Sequence, residues 1–378
     1  LDLSSVEGLY ASAAYRVEVR RAGTADAFAS CFVFETRNDW VYYDFFNRDP
    51  ALRPNVLRAA DQFGNPKADI RTASFALFSF ADTAVEVRIT LLQPGMVANS
   101  VTIRPLRHGH AAIIAPDRRT LTFTLPSPQK LSVEINDRLN PLFLFADAPD
   151  VPDLTATHYF GPGIHRIPGN GTLTVRSNER VYLAAGAIVE GRFALQANSA
   201  NITIRGRGIL SRGEWPHPID LSFNSLTTQT TIGTSGSHHL VIEGLTIVQS
   251  TAWQIAIEDF SARGDATHHN SYLNLKMVSF AGNTDGIWVT GRNNRVRDCF
   301  IFNNDDAFVC KGGGDTVISD CVVWGGPWGH LLLLHTILAG FPSIDNLTLE
   351  NIDEIGREGS PEVLWASGSA GRTISNIT

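Results

Sequence analysis

Arg295-Val-Arg-Asp-Cys-Phe-Ile-Phe302 and Val317-Ile-Ser-Asp-Cys-Val-Val-Trp324 are one phrase written twice, 22 residues apart. Related phrases flank them: Asn201-Ile-Thr-Ile-Arg-Gly-Arg-Gly-Ile209, Leu240-Val-Ile-Glu-Gly-Leu-Thr-Ile247, Leu273-Asn-Leu-Lys-Met-Val-Ser-Phe280 and Leu347-Thr-Leu-Glu-Asn-Ile352. With Ile242, Leu275, Arg297, Ser319 and Leu349 taken as equivalent, the steps are 33, 22, 22 and 30 residues. A base period near 22, lengthened where a loop intrudes, is what one coil of a parallel β-helix requires. Short strands turn at polar corners and stack about 4.8 Å apart. Gly and Asn suit the corners because they accept left-handed backbone angles. A leucine-rich repeat would need Leu-x-x-Leu-x-Leu, which these phrases lack. Residues 151–378 are therefore expected to form a right-handed parallel β-helix. Its last phrase, Thr373-Ile-Ser-Asn-Ile-Thr378, stops in mid-strand. A solenoid end needs a cap, so the natural chain is expected to continue or to be completed by a second fragment.

Residues 1–150 read differently. Tyr15-Arg-Val-Glu-Val-Arg20, Ala84-Val-Glu-Val-Arg-Ile-Thr-Leu91, Leu121-Thr-Phe-Thr-Leu125 and Lys130-Leu-Ser-Val-Glu-Ile135 alternate apolar with polar, the pattern of strands with one wet face. Separators such as Asn47-Arg-Asp-Pro50 and Phe63-Gly-Asn-Pro66 fit an antiparallel β-sandwich. The link Asp147-Ala-Pro-Asp-Val-Pro-Asp153 marks the boundary between the two textures. The fold class is all-β: a sandwich, then a solenoid.

The 378 residues carry 31 basic against 38 acidic side chains, a net charge of −7. That balance argues against a nucleic-acid or anionic-membrane partner, since both need a basic face. No apolar run approaches the 18 residues of a membrane span, and no signal peptide is visible on a chain that starts at Leu1. Four cysteines, Cys31, Cys299, Cys310 and Cys321, make neither a disulfide framework nor a zinc motif. Cys299 and Cys321 fall at matching points of neighbouring phrases and are read as stacked buried thiols. Sequons at Asn170, Asn201, Asn346 and Asn376 would carry glycans in a secreted eukaryotic protein, although Asn-Ile-Thr and Asn-Leu-Thr are also ordinary strand openings.

The chemistry is concentrated in Gly282-Asn-Thr-Asp-Gly-Ile287 and Asn303-Asn-Asp-Asp-Ala-Phe-Val-Cys-Lys-Gly-Gly-Gly314. Asp285 precedes Asp306 by 21 residues, one coil, so the two should stack. In a regular strand Asp305 and Asp306 would face opposite ways; both reach one cleft only at a corner, which Asn303-Asn304 favours. Three crowded carboxylates repel, and one retains a proton. A protonated acid beside ionised partners is what glycosidic hydrolysis asks for. A single corner Asp ordinarily belongs to an idle Asn/Asp ladder; a pair one coil from a third, with Lys311 and His330 nearby, does not.

At these residues the chain resembles the polygalacturonases, glycoside hydrolase family 28. Asn283-Thr-Asp-Gly-Ile287, Asp305-Asp-Ala-Phe-Val-Cys-Lys-Gly-Gly313 and Gly329-His330 look like that family's signature run. The segment is similar also to the dextranases and isopullulanases of family 49, which place a β-sandwich before the β-helix. His158-Tyr-Phe-Gly-Pro-Gly-Ile-His165 and Val181-Tyr-Leu-Ala-Ala-Gly-Ala-Ile-Val189 resemble the way helices of this clan begin. The resemblance implies a secreted, extracellular inverting glycosidase without a cofactor. Asp305 would be the general acid, while Asp285 and Asp306 hold and deprotonate water. Two departures matter: Leu331 follows Gly329-His330 where the family has Gly, and no Arg-Ile-Lys follows to meet a uronate carboxylate. They favour a neutral, dextran-like α-glucan over galacturonan. A non-catalytic glycan-binding β-helix and a polysaccharide lyase are the other readings.

Lys311, His330, Trp288 and Asn283 are the candidate substrate-binding residues. Trp253, Trp288, Trp324 and Trp328 are candidate sugar platforms, since a pyranose presents an apolar face to an aromatic ring, though core packing is a tryptophan's commoner role. The pairs His238-His239 and His268-His269 lack ordered carboxylate partners and are not read as a metal site, and Gly312-Gly-Gly314 lacks the phosphate-loop pattern.

Overall fold

A computed structural model of the protein describes residues 1–37, 72–215, 223–258, 266–325, 329–336, 342–355, 363–368 and 371–378. The separators at 47–50 and 63–66, and Trp328, lie outside these residues. Among the described residues, regular structure is strand except for the seven-residue helix Phe223–Gln229 and one 3-10 turn. They divide into two compact units that meet in sequence between Val151 and Pro152, inside the Pro- and Asp-rich link.

The first unit has two sheets. One orders Leu9–Ala11, Val33–Arg37, Thr72–Ser79, Leu142–Asp147, Lys130–Ile135 and Val101–Arg104; the other orders Ala29–Cys31, Tyr15–Arg21, Val85–Leu91, Thr120–Leu125 and Ile113–Ile114. Val17, Val87, Ile89 and Leu121 of one meet Ala76, Val133, Leu142 and Leu144 of the other in a single core, which makes the unit a sandwich. Two details differ from the sequence reading. Leu142–Asp147 pairs in parallel with Thr72–Ser79, so the sandwich is not wholly antiparallel. Lys130–Ile135 is buried along its whole length, because it is an interior strand rather than one with a wet face. Of its polar members, Glu134 accepts from Arg104 Nε at 2.8 Å.

The second unit is a parallel β-helix of three stacked sheets. The first sheet runs from His158–Phe160 to Ile374–Ile377, the second from Gly163–Arg166 to Asp353–Ile355, and the third from Thr172–Val175 to Leu364–Gly368. Every strand pairs in parallel with its counterpart one coil on, as in Tyr272↔Val296, Ile301↔Val323 and Val309↔Leu333. Inward side chains form one continuous apolar column, each full burial of a Leu or Ile contributing about 1.5–3 kcal/mol.

Paired positions on the first sheet are Ile242, Tyr272, Val296, Ile318 and Leu349, so the steps are 30, 24, 22 and 31 residues. The sequence alignment of Leu275 with Ile242 was therefore out of register. Both point inward, but Leu275 follows the next corner, and apolarity alone does not say which sheet an inward residue belongs to. Arg297 and Ser319 do pair. Left-handed corners recur in register: Gly244, Asn274, Asp298, Asp320 and Asn351 separate the first sheet from the second, all with positive φ. Cys299 and Cys321, each just past such a corner, are buried and unbonded.

Candidate active site

The carboxylates sit where the second sheet turns into the third. The strands Lys276–Gly282 and Phe300–Asn304 pair regularly up to Val278↔Phe302, then resume at Gly282↔Asn304, so four residues on one face two on the other. Past this bulge Asn283-Thr284-Asp285 leave the strand at the corner. Beyond the corner Ile287, Phe308 and Leu332 are paired successively. Asp285, Asp306 and His330, each two residues earlier, therefore occupy equivalent places on three consecutive coils. Asp305 lies in the same corner, outside any strand.

Backbone wiring holds the group. Asn283, at φ 56, donates its N–H to the Asp305 carboxylate, and Asp306 N–H donates to Asp305 Oδ1 at 3.0 Å. The Asn303 amide donates to the carbonyls of Asp305 and Asp306 at 2.8 and 3.0 Å, and Thr284 Oγ1, pointing inward, donates to Ala281 O and accepts from Asn304 N–H. Two glycines permit this closeness. A Cβ on Gly286 would strike Ala307 O, and one on Gly329, at φ +77, would strike the Asp305–Asp306 peptide. Gly329 thus lets His330 approach, and Asp306 Oδ1 accepts from both His330 N–H and His330 Nδ1, at 2.8 and 2.7 Å.

Burial is the leading cause of the shifted acidities. Asp285 is raised well above the usual carboxylate range by burial, then by the charges of Asp305 and Asp306, against the pull of Lys311 and the Trp288 hydrogen bond. Burial and then the Asp306 charge push Asp305 up to about 7. A carboxyl that keeps its proton to neutral pH, beside partners that feel its charge, is suited to give that proton to a leaving oxygen.

The sequence-named binding residues divide. His330 is in place beside Asp306. Asn283 contributes its backbone N–H to Asp305, a positioning contact. Trp288 is not a sugar platform: it is 1% exposed, its Nε1 donates to Asp285 Oδ2 at 3.0 Å, and its ring packs on Trp253 at 4.2 Å. The bulge turns Asp285 back over the strand that carries Trp288, which spacing alone did not reveal. Trp253 and Trp324 are buried as well. Lys311 is 8% exposed, with Nζ 3.2 Å from the centroid of the Trp288 ring. There it faces Glu258, Asp285 and Asp306, whose charges oppose the depression of its pKa by burial.

Glu258 and Trp365 escaped sequence reasoning. Glu258 ends a third-sheet strand, is 2% exposed, and finds no hydrogen-bond partner for either carboxylate oxygen among the described residues; burial pushes it to about 7 despite Lys311. No motif marks it, only register along the third sheet. Trp365 is 48% exposed with its ring 5.2 Å from His330; it lies one coil beyond the motif, in an exposed strand with no local signature.

Neither a family model nor a curated protein matches the sequence. Solved structures do. Dex49A from Penicillium minioluteum aligns over 98% of this chain and 79% of its own, with a TM-score of 0.68 at 19% identity. The fold is that of Dex49A. An exopolygalacturonase from Thermotoga maritima covers 49% of this chain and 59% of its own at 15% identity and TM-score 0.35. The family 28 exopolygalacturonase of Yersinia enterocolitica covers 77% and 91% at 12% identity and TM-score 0.32. The layout agrees with that of family 49, to which Dex49A, a dextranase, belongs.

Proposed function

We propose that this protein is a secreted glycoside hydrolase that cleaves a neutral α-glucan with inversion. The observation that carries the reading is the corner cluster of Asp285, Asp305 and Asp306, with Asp305 raised to about 7. In this scheme Asp305 gives its proton to the glycosidic oxygen as the bond to the anomeric carbon breaks. Water attacks that carbon from the opposite face, and its proton passes to the Asp285/Asp306 side. Lys311 compensates charge beneath the cluster, and Trp365, rather than Trp288, offers a sugar an aromatic face. Dex49A, as a dextranase of the same fold, supports the choice of glucan.

The four sequon asparagines are exposed, which supports a secreted glycoprotein. Asn201, Asn346 and Asn376 use their amides to bond the neighbouring coil at Asn178, Asp315 and Asp345. Asn170, in a turn, is therefore the favoured site for a glycan. A mobility shift on glycosidase treatment, lost in Asn170→Gln, tests it.

The decisive assay is reducing-end release from dextran, pullulan and polygalacturonate, with NMR of the first-formed anomer. Asp305→Asn should keep its melting temperature and lose about 10²–10⁴-fold in kcat. Near-normal turnover in that variant removes Asp305 from the acid role, and a retained anomer removes inversion.

A further inference from the structure

The corner between the third and first sheets is a ladder of left-handed residues, one per coil: Asn178, Asn201, His239, His269, Asn293, Asp315, Asn346 and Asn376, with φ between 51 and 67. Strand register makes them equivalent, each two residues before a paired position on the first sheet, as in Thr203↔Val241↔Ser271↔Arg295. Six are Asn or Asp, the side chains that tolerate this backbone best, and several bond along the ladder, as Asn201 does to Asn178 at 3.1 Å. Two consecutive coils abandon that solution for histidine. The same two coils also place histidine immediately before the corner, at His238 and His268.

Sequence spacing alone gave no reason to join these pairs, which lie 30 residues apart. The coil brings them together. His238 stacks on His268 with centroids 4.5 Å apart at 12°, and His239 on His269 at 5.0 Å and 5°. Within each coil the two rings stand nearly perpendicular, at 77° and 87°. In both coils the Nδ1 atoms of the pair converge to 2.8 Å. One ring nitrogen from each of His238, His239 and His268 lies within 4.8 Å of the others.

We propose that this histidine square is a metal site for a late first-row divalent cation, copper or nickel in preference to zinc, clipping two consecutive coils together. Among the described residues the cluster offers imidazoles and no carboxylate, a donor set that suits these borderline ions and not calcium or magnesium. With metal–nitrogen bonds of about 2.0 Å, the two donors of one coil, 2.8 Å apart, subtend about 90°, the cis angle of square-planar or octahedral coordination, where a tetrahedral ion would need about 3.3 Å; the donor of the other coil, within 4.8 Å, has to draw in to about 4.0 Å or less to join them. Without metal, one Nδ1 of each pair carries a proton toward the other; that proton moves to Nε2 when both Nδ1 atoms become ligands. Arg292, on the next coil and bridged to His268, is paired with Asp315 at 3.1 Å. The site lies on the corner after the third sheet and the carboxylates on the corner before it, so it is separate from the proposed chemistry.

The test uses tag-free protein dialysed with Cu²⁺, Ni²⁺ or Zn²⁺ against a weak competing chelator, with metal counted per chain. One equivalent of copper or nickel should remain, with nitrogen hyperfine structure from several imidazoles in the copper spectrum and a raised melting temperature. His239→Asn with His269→Asn installs the residue the neighbouring corners already use, so the fold should hold while the equivalent and the thermal shift vanish. His238→Ala with His268→Ala should do the same. The proposal is overturned if no metal is retained, if either double variant retains as much as the parent, or if zinc outcompetes copper.

Discussion

Trp288→Phe is the most informative single change, because it removes one hydrogen bond and little else. Phe keeps an aromatic ring under Lys311 and beside Trp253 but loses the Nε1 donor that reaches Asp285 Oδ2 at 3.0 Å. That bond favours the ionised form of Asp285, so its loss raises further a carboxyl that burial already holds high. A hydrogen bond to a charged group contributes about 1.5–3 kcal/mol, and one pKa unit is about 1.36 kcal/mol. The shift should therefore be about one to two units upward. If Asp285 must be ionised to hold and deprotonate water, the acidic limb of kcat/KM against pH moves up by that amount. The alkaline limb, assigned to Asp305 under the proposed function, should not move with it. Measured on the best glucan, the variant should be slow in acid and approach the parent as pH rises toward that limb. An upward move of the alkaline limb with the acidic limb fixed would make Asp285 the proton donor and refute the assignment. No movement of either limb would remove Asp285 from the titrating set.

Other perturbations test neighbouring links. His330→Ala deletes the 2.7 Å Nδ1 bond to Asp306 but leaves the backbone donor, so kcat/KM should fall about 10–150-fold at nearly unchanged melting temperature; a loss under about threefold shows that the ring only fills space. Glu258→Gln should stabilise the fold more at pH 8 than at pH 5, read by thermal melting. The folded-state pKa of Glu258 is raised to about 7 from an ordinary 4.5, so its ionisation costs stability increasingly as pH climbs through that window; a variant less stable at pH 8 means that Glu258 is ionised and gainfully paired with Lys311. Added salt should leave turnover of dextran unchanged and raise any residual turnover of polygalacturonate, by screening a repulsive site; a fall with salt on polygalacturonate points to a cationic subsite.

Much of the solenoid was legible because a coil of constant length forces a repeat, and Arg295–Phe302 and Val317–Trp324 display it without an intervening loop. Where loops lengthen the coil, apolarity cannot distinguish the last inward residue of one sheet from the first of the next, and Leu275 was set against Ile242 for that reason. Asp285 and Asp306 could be stacked from spacing alone. The place of Asp305 depended on a corner, and the corner depends on a bulge between Val278 and Gly282 that no period predicts. That bulge also explains the misreading of Trp288, whose indole is drawn beneath Asp285 rather than toward solvent. Glu258 and the histidine square were illegible for a different cause. Their meaning comes from side chains one to three coils away, and only the stacking register supplies those neighbours.

The charge arrangement also bears on which polymer the site accepts. Glu258, Asp285 and Asp306 all act on the buried ammonium of Lys311, while Asp305 is raised by burial and then by Asp306. Burial holds Asp285, Asp305 and Glu258 above the usual carboxylate range, and the neighbouring carboxylate charges add to it for Asp285 and Asp305. A uronate would bring one more carboxylate per sugar into this field and would tend to raise those groups further, keeping the water-activating carboxylate protonated. Tolerating it would take a second cation aimed at the sugar. The sequence after His330 lacks the Arg-Ile-Lys that would supply one. A neutral glucan brings only hydroxyls, which can donate to the ionised members and lower them toward their working state. On the proposed reading, the burial and repulsion that hold a proton on Asp305 would select against an acidic substrate.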